Sequence, residues 1–196
     1  MDVTRVSGLR ELLAGSPLLD STAAFAGSLR RAVTRRSARG LLLVGSAGYE
    51  PWHLAAHLDD EAAWAGVPEL SPTLVRHRAT AAAGGSERLR HGLPRLAAAG
   101  RGETVLVVTP EPARPALLER VADARRGGAT VLALAAGDPE LGRLAHENLT
   151  VESPEEPGFD LVQHLVSAAA GERRPGRRSG LARLVRQFSM EPVNRW

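Results

Sequence analysis

Residues 103–135 read ETVLVVTPEPARPALLERVADARRGGATVLALA, and this stretch decides the fold class. Residues 103–110 give the clearest strand signal in the chain, since a continuous apolar run is typical of a strand covered on both faces. A helical pattern over 112–128 ends at a glycine stop, and the apolar run 129–137 predicts a second strand. Strand, helix and strand in this order form a βαβ unit, which indicates a parallel sheet.

The same alternation continues on both sides of this unit. Before it, the sequence predicts helices at 9–14 and about 20–38, a strand at Leu41–Val44, a helix from Pro51, a strand within 66–78 and a helix at 85–99. After it come a short helix at 138–147, a strand at 148–154 and a helix at 157–171. We therefore expect a single three-layer α/β domain over residues 1–171, with a doubly wound sheet of about five parallel strands flanked by helices. Ligands of such sheets bind beyond the carboxyl ends of the strands, so the loops after Val44 and Val108 are the expected site.

Composition excludes several kinds of chemistry. The chain of 196 residues contains no cysteine, which excludes disulfides, thiolate nucleophiles and zinc–sulfur or iron–sulfur sites. It also contains no lysine, which excludes Schiff-base chemistry and a P-loop lysine. No stretch reaches the roughly 18 consecutive apolar residues of a membrane helix, and residues 1–13 lack the apolar core of a secretory signal. The sequence therefore predicts a cytoplasmic protein without membrane contact.

Residues 172–196 form an arginine-rich tail with a net charge of +5, whereas residues 1–171 carry −2. We expect this tail to be a separate segment beyond the domain, because its RRPGRR core cannot bury apolar area. An interaction with an acidic partner through the tail is one possible function of the chain. Specific nucleic-acid binding is not expected, since no known DNA-binding motif is present.

The segment LLLVGSAGYEPWHLAAHLDDEAAW, residues 41–64, holds the first candidate site residues. Its GSAG loop lacks the third glycine of a nucleotide fingerprint, so the loop is either a tight turn or a place where Ser46 and Gly48 contact a ligand. His53 and His57 are four residues apart and share one face of the predicted helix. That pair is either a metal or acid–base face, or part of a solvated polar stripe. Among the aromatic residues, Phe25, Trp52 and Trp64 are expected in the core or in an interface.

The order of elements and three of the motifs resemble the sugar isomerase (SIS) domain, and within it the phosphoheptose isomerase branch. The resemblance covers roughly residues 20–171. It is carried by LLLVGSAG followed by HLAAHL, by GETVLVVTPEPARPALLERVADARRGGATVLALAAGDPELGRLAHENLTVESPEE, and by the closing FDLVQHLV. Members of that family dimerise through helices that flank the sheet, so the resemblance implies a homodimer. They bind a phosphorylated sugar, which implies a sugar or phosphosugar as the partner of this chain.

In the family, the phosphate is held by a Ser/Thr- and Gly-rich loop after a middle strand. The matching loop here runs from Thr109 to Arg114, and only Thr109 supplies a hydroxyl. Two prolines in the loop have no N–H to donate, and Glu111 would repel an anion, a repulsion that Arg114 could offset in part.

The phosphoheptose isomerase branch also binds zinc, through a His and a Glu on the helix after the first loop and a Gln and a His on the last helix. Here His53 falls at the His position and His57 at the Glu position. The last helix offers Asp160, Gln163 and His164, of which Asp160 and His164 are four residues apart. Imidazole and carboxylate are proper zinc ligands, so the resemblance implies a zinc site of three or four ligands between two helices.

Two functions of different classes follow, and both use the same candidate residues. The first is a divergent SIS-like domain that binds a sugar, a phosphosugar or a related small ligand without catalysis. The second is a metal-dependent sugar-phosphate aldose–ketose isomerase. The candidates are His57 and His164 as catalytic residues; Gly45, Ser46, Gly48, Thr109 and Arg114 as substrate-binding residues; and His53, His57, Asp160 and His164 as zinc ligands.

Overall fold

The computed structural model describes residues 16–77, 91–152 and 158–171. Its helices are α1 (Pro17–Thr34), α2 (Trp52–Ala65), α3 (Leu93–Ala97), α4 (Pro115–Arg126), α5 (Pro139–Leu144) and α6 (Gly158–Gly171). Its strands are β1 (Gly40–Val44), β2 (Pro72–Arg76), β3 (His91–Gly92), β4 (Glu103–Thr109), β5 (Thr130–Ala135) and β6 (Glu147–Thr150). A short 3₁₀ turn at Pro68–Leu70 leads into β2.

The six strands form one parallel sheet in the order β3-β2-β1-β4-β5-β6. The chain begins near the centre with β1, runs to one edge through β3, and returns to the centre with β4. The strand order therefore reverses between β1 and β4, where Val44 pairs with Val107. This confirms the predicted α/β class and the doubly wound parallel sheet.

Two apolar cores lie on opposite faces of the sheet, because alternate residues of each buried strand point in opposite directions. Leu41 and Leu43 of β1 belong to the core under α1, α2 and α6. Leu42 and Val44 belong to the core under α3, α4 and α5. A strand buried on both faces needs apolar residues at every position, which explains the continuous apolar runs in the sequence.

The first described helix begins earlier than the sequence pattern predicted. It starts at Pro17 because Ser16 is its N-cap: the Ser16 hydroxyl accepts a hydrogen bond from the Leu19 amide at 3.2 Å. Proline suits the first helical position, where its missing N–H is not needed.

The helix predicted over 85–99 is confirmed at Leu93–Ala97 and wrong at His91–Gly92. His91 and Gly92 pair with Val75 and Arg76 as a sixth strand, and α3 begins only after them. Pro94 lies in the first turn of α3, where it needs no hydrogen-bond donor.

Several predictions fall on residues outside the described ranges. The helix at 9–14 and the arginine-rich tail at 172–196 are among them, so the domain boundary at residue 171 stays a prediction. Within the described ranges, no helix is both long enough and apolar enough to cross a membrane. The cytoplasmic location stays a prediction.

The fold brings α2 and α6 side by side on one face of the sheet. Both follow parallel strands, so both begin at the edge where the carboxyl ends of the strands lie. The loop into α2 is tight: a Cβ atom on Gly45 would lie 1.8 Å from the Tyr49 carbonyl oxygen. Only glycine permits this approach, so Gly45 fixes the path from β1 to α2.

Candidate functional site

A cluster of three histidines lies between α2 and α6. His53 and His57 come from successive turns of α2, and His164 comes from α6. One ring nitrogen from each lies within 4.8 Å of the other two. The ring centroids are 4.3–4.6 Å apart, and His164 meets both other rings edge-on. The three candidate imidazoles are thus together within one chain.

Burial keeps two of these imidazoles neutral. Loss of solvent, followed by the neighbouring His57 and His53, lowers the pKa of His164 to about 4, although Asp160 acts in the opposite direction. Burial and then His53 also lower the pKa of His57, against the opposing effect of Asp60. Metal ligation requires neutral imidazole, so His57 and His164 have the form that ligates a metal at neutral pH.

Asp160, the fourth candidate ligand, lies outside this group. Its Oδ1 accepts a hydrogen bond from Gln163 Nε2 at 3.0 Å. Gln163 is 1% exposed, and its amide also contacts the Tyr49 hydroxyl, with Nε2 at 2.8 Å and Oε1 at 3.1 Å. Tyr49 packs edge-on against Phe159. These contacts fix the start of α6 to the loop after β1.

The three histidines fit a divalent transition metal by the chemistry of their donors. Neutral imidazole nitrogens suit zinc, and a site with three protein ligands keeps a position for water or substrate. His53, His57 and His164 would hold such an ion, and the role of Asp160 as a fourth ligand stays a prediction.

A second group of polar residues lies where the strand order reverses, between the loops after β1 and β4. We call this place the crevice and define it by Ser46, Gly48, Thr109, Glu111 and Ala113. The Ser46 hydroxyl donates to Glu111 Oε1 at 2.6 Å and accepts from the Gly48 amide at 3.3 Å. Ser46 is 2% exposed, whereas Glu111 is exposed. The loops that the sequence indicated do meet, and a carboxylate lies between them.

Gly48 lies directly against Glu111. A Cβ atom at this position would come within 2.9 Å of Glu111 Oε1, but this is the end of a flexible, exposed side chain that can move aside. Gly45, which faces backbone, therefore has a structural reason to be glycine that does not depend on a ligand, whereas Gly48 has none of this strength.

The loop after β4, residues 109–114, is held in place by the hydroxyl of Thr109 and by the carboxylate of Asp138, which precedes α5. We call it the β4 loop. The Thr109 hydroxyl donates to the Glu111 carbonyl at 2.5 Å and accepts from the Glu111 amide at 3.3 Å. The Ala113 amide donates to Asp138 Oδ2 at 2.7 Å, while Oδ1 of the same carboxylate caps α5. Arg114, at the N-cap position of α4, is exposed.

Sequence reasoning missed a further polar group beside the first loop. Both Glu50 carboxylate oxygens lie 3.1 Å from Arg76 Nε, and Trp52 Nε1 donates to Glu50 Oε2 at 2.8 Å. The Arg76 guanidinium lies 5.3 Å from the centre of the Trp52 ring. No sequence spacing could connect Arg76 with residues 50–52, because parallel pairing of β1 with β2 creates the contact.

The aromatic predictions have mixed outcomes. Phe25 is 4% exposed and lies in the core, as predicted. Trp52 and Trp64 are 42% and 61% exposed, so neither is a core residue of this chain. An interface role for either stays a prediction.

Neither a protein-family model nor a curated protein sequence matches the chain. Solved structures do match. The sugar isomerase domain of an RpiR transcription factor from Sphaerobacter thermophilus is 19% identical with a TM-score of 0.52, and the match covers 85% of this chain and 86% of that one. The Vibrio vulnificus NanR protein, solved in complex with ManNAc-6P, is 13% identical with a TM-score of 0.52, over 95% of this chain and 72% of that one.

A third match is a provisionally assigned sugar binding protein from Salmonella typhimurium LT2. It is 21% identical with a TM-score of 0.57, and the match covers 95% of this chain but only 56% of that one. The chain thus spans little more than half of that protein. Together with the topology, these matches show that the chain has the fold of a sugar isomerase domain, as the sequence resemblance predicted.

The lowered pKa of His164 predicts a pH-dependent stability in the metal-free protein. The unfolded chain binds a proton at His164 near pH 6.5, whereas the folded chain binds it only near pH 4. Between these values the unfolded state holds more protons, so the free energy of unfolding should fall as the pH falls from 6.5 to 4. His57 contributes in the same direction.

Urea unfolding at a series of pH values measures this effect. His164→Asn should show a shallower fall between pH 6.5 and 4 than the wild type, while His91→Asn, outside the cluster, should keep the wild-type slope. Equal slopes in all three proteins would contradict the burial of a neutral His164.

Proposed function

We propose that this chain is a binding domain for a sugar or a related polyhydroxylated small molecule, held in the crevice. The proposal rests on one observation: Ser46 contacts both Gly48 and Glu111 between β1 and β4, where the strand order reverses. Parallel α/β sheets bind ligands at such a position. A hydroxyl, a carboxylate and backbone groups match the mixed donors and acceptors of a sugar.

The fold supports the same class of ligand. A protein of this fold, NanR, was solved with the phosphosugar ManNAc-6P. In this chain Gly45, Ser46 and Gly48 would form one wall of the site, and Thr109 and Arg114 the other. Arg114 is exposed at the start of α4, from where it can reach a ligand at the mouth of the crevice.

The residues of the crevice favour a function in which the ligand is bound but not converted. Aldose–ketose conversion needs a base that is free to take a proton from the substrate. The carboxylate of the crevice, Glu111, instead accepts a short hydrogen bond from Ser46.

Calorimetric titration and thermal shift with N-acetylglucosamine and glucosamine test the binding proposal. Saturable binding should raise the melting temperature. Ser46→Ala should weaken binding by about 10-fold, the effect of losing one or two hydrogen bonds in a site. Ser28→Ala is the matched control, because the Ser28 hydroxyl bonds Glu147 and Arg31 outside the crevice, and this variant should bind like the wild type. If neither sugar, nor N-acetylglucosamine 6-phosphate, binds the wild type at millimolar concentration, the proposal fails.

A homodimer is part of the proposal, and α2 would contribute to its interface. Trp64 lies on this helix with 61% of its surface exposed, and tryptophan is enriched in protein interfaces. Light scattering at micromolar concentration should give twice the chain mass, and Trp64→Arg should shift the protein to the monomer. A monomeric wild type would contradict the dimer without affecting ligand binding.

The histidine cluster favours a second function, a metal-dependent sugar-phosphate isomerase in which His57 and His164 act as ligands or proton carriers. A bound zinc ion would polarise a carbonyl group of an open-chain sugar. His53, His57 and His164 would hold the ion, and Gln163 and Tyr49 would keep α6 in register with the first loop. Isomerase activity on a sugar phosphate in the presence of zinc would favour this function over simple binding.

Zinc binding itself can be measured without any sugar. The wild type should bind one Zn²⁺ per chain, and His57→Ala and His164→Ala should each lower the affinity at least 10-fold, since each removes a ligand. His91→Ala is the control and should bind as the wild type does. Binding should also weaken as the pH falls, because protons compete for the imidazoles. Equal affinity in all four proteins would exclude the cluster as the metal site.

A further inference from the structure

The β4 loop has few free hydrogen-bond donors for an anion. Pro110 and Pro112 carry no N–H, and the amides of Glu111 and Ala113 donate to Thr109 and Asp138. Across the crevice, the Gly48 amide donates to the Ser46 hydroxyl, and that hydroxyl donates to Glu111. A phosphate would have to break these contacts before it could use the same donors.

Glu111 also places a negative charge where the two loops meet. Its Oε1 is 2.6 Å from Ser46 Oγ and would be 2.9 Å from a Cβ atom on Gly48, so the carboxylate fills the space between the loops. The side chain is exposed, so an incoming ligand meets it directly. A carboxylate repels a phosphate and attracts an ammonium group, which can replace Ser46 as its hydrogen-bond donor.

Arg114 does not cancel this charge at short range. It is exposed at the N-cap position of α4, and within the described residues it forms no ion pair with Glu111. The preference of the crevice is therefore set by the carboxylate that lies inside it.

We propose that Glu111 is the specificity-determining residue of the crevice: it rejects phosphorylated sugars and favours neutral or ammonium-bearing sugars. This inference rests on the proposed sugar-binding function and names the ligand class. The carboxylate lies between the two loops, and a ligand amine or hydroxyl donates to it.

Three probes with one sugar skeleton test the charge preference: glucosamine, N-acetylglucosamine and N-acetylglucosamine 6-phosphate, which are cationic, neutral and anionic. The wild type should bind the phosphorylated sugar at least 10-fold more weakly than the neutral one, and glucosamine at least as tightly as the neutral one. Glu111→Gln keeps the size of the side chain and removes its charge. This variant should gain at least 10-fold in affinity for the phosphorylated sugar and lose the preference for glucosamine.

Glu119→Gln, an exposed carboxylate on α4, is the matched control and should behave as the wild type does. A further titration, with inorganic phosphate, needs no sugar. In it, Glu111→Gln should bind phosphate more tightly than the wild type. Melting temperatures verify that each variant is folded.

The outcomes separate the inference from the proposed function. If the wild type binds N-acetylglucosamine 6-phosphate as tightly as N-acetylglucosamine, the inference is overturned while sugar binding stands. If no sugar binds but Glu111→Gln gains affinity for phosphate, the sugar proposal fails while the role of Glu111 stands. If Glu111→Gln gains no affinity for either phosphate compound, Glu111 is not the determinant.

Discussion

Parallel pairing of β1 with β4, at the point where the strand order reverses, is the constraint on which both candidate sites depend. It sends α2 and α4 to opposite faces of the sheet and brings the loops that precede them together at the carboxyl edge. Ser46 and Glu111 are 65 residues apart in sequence, yet their side chains meet there. The same pairing fixes the start of α2 and hence the position of His53 and His57.

The histidine cluster depends on a second consequence of the topology. β6 is parallel to β1, so α6 also begins at the carboxyl edge and packs beside α2. Three imidazoles that approach within 4.8 Å cannot all be protonated without mutual repulsion, and partial burial adds to that cost. The result is a nitrogen-rich site between α2 and α6 in which burial lowers the pKa of His57 and His164. The crevice, by contrast, carries a carboxylate, so the two sites favour different chemistry.

The sequence was sufficient for the features that depend on local patterns. Continuous apolar runs predicted the buried strands, and the spacing of His53 and His57 placed them on one helix face. Spacing placed Asp160 on one face with His164, but it could not show that Asp160 accepts a hydrogen bond from Gln163. Chain patterns could not reveal β3 either, since a strand of two residues exists only through its pairing with β2. Glu111 was visible as a negative charge in a loop, but its contact with Ser46 required the fold.

One short loop serves both sites. Ser46 and Gly48 form a wall of the crevice, while Tyr49, the next residue, holds Gln163 one position before His164. Gly45 fixes where this loop begins, because no side chain fits against the Tyr49 carbonyl. A ligand that displaces Glu111 from Ser46 therefore acts on a loop whose other end is tied to α6. The crevice and the histidine cluster differ in chemistry, but the same loop after β1 positions both of them.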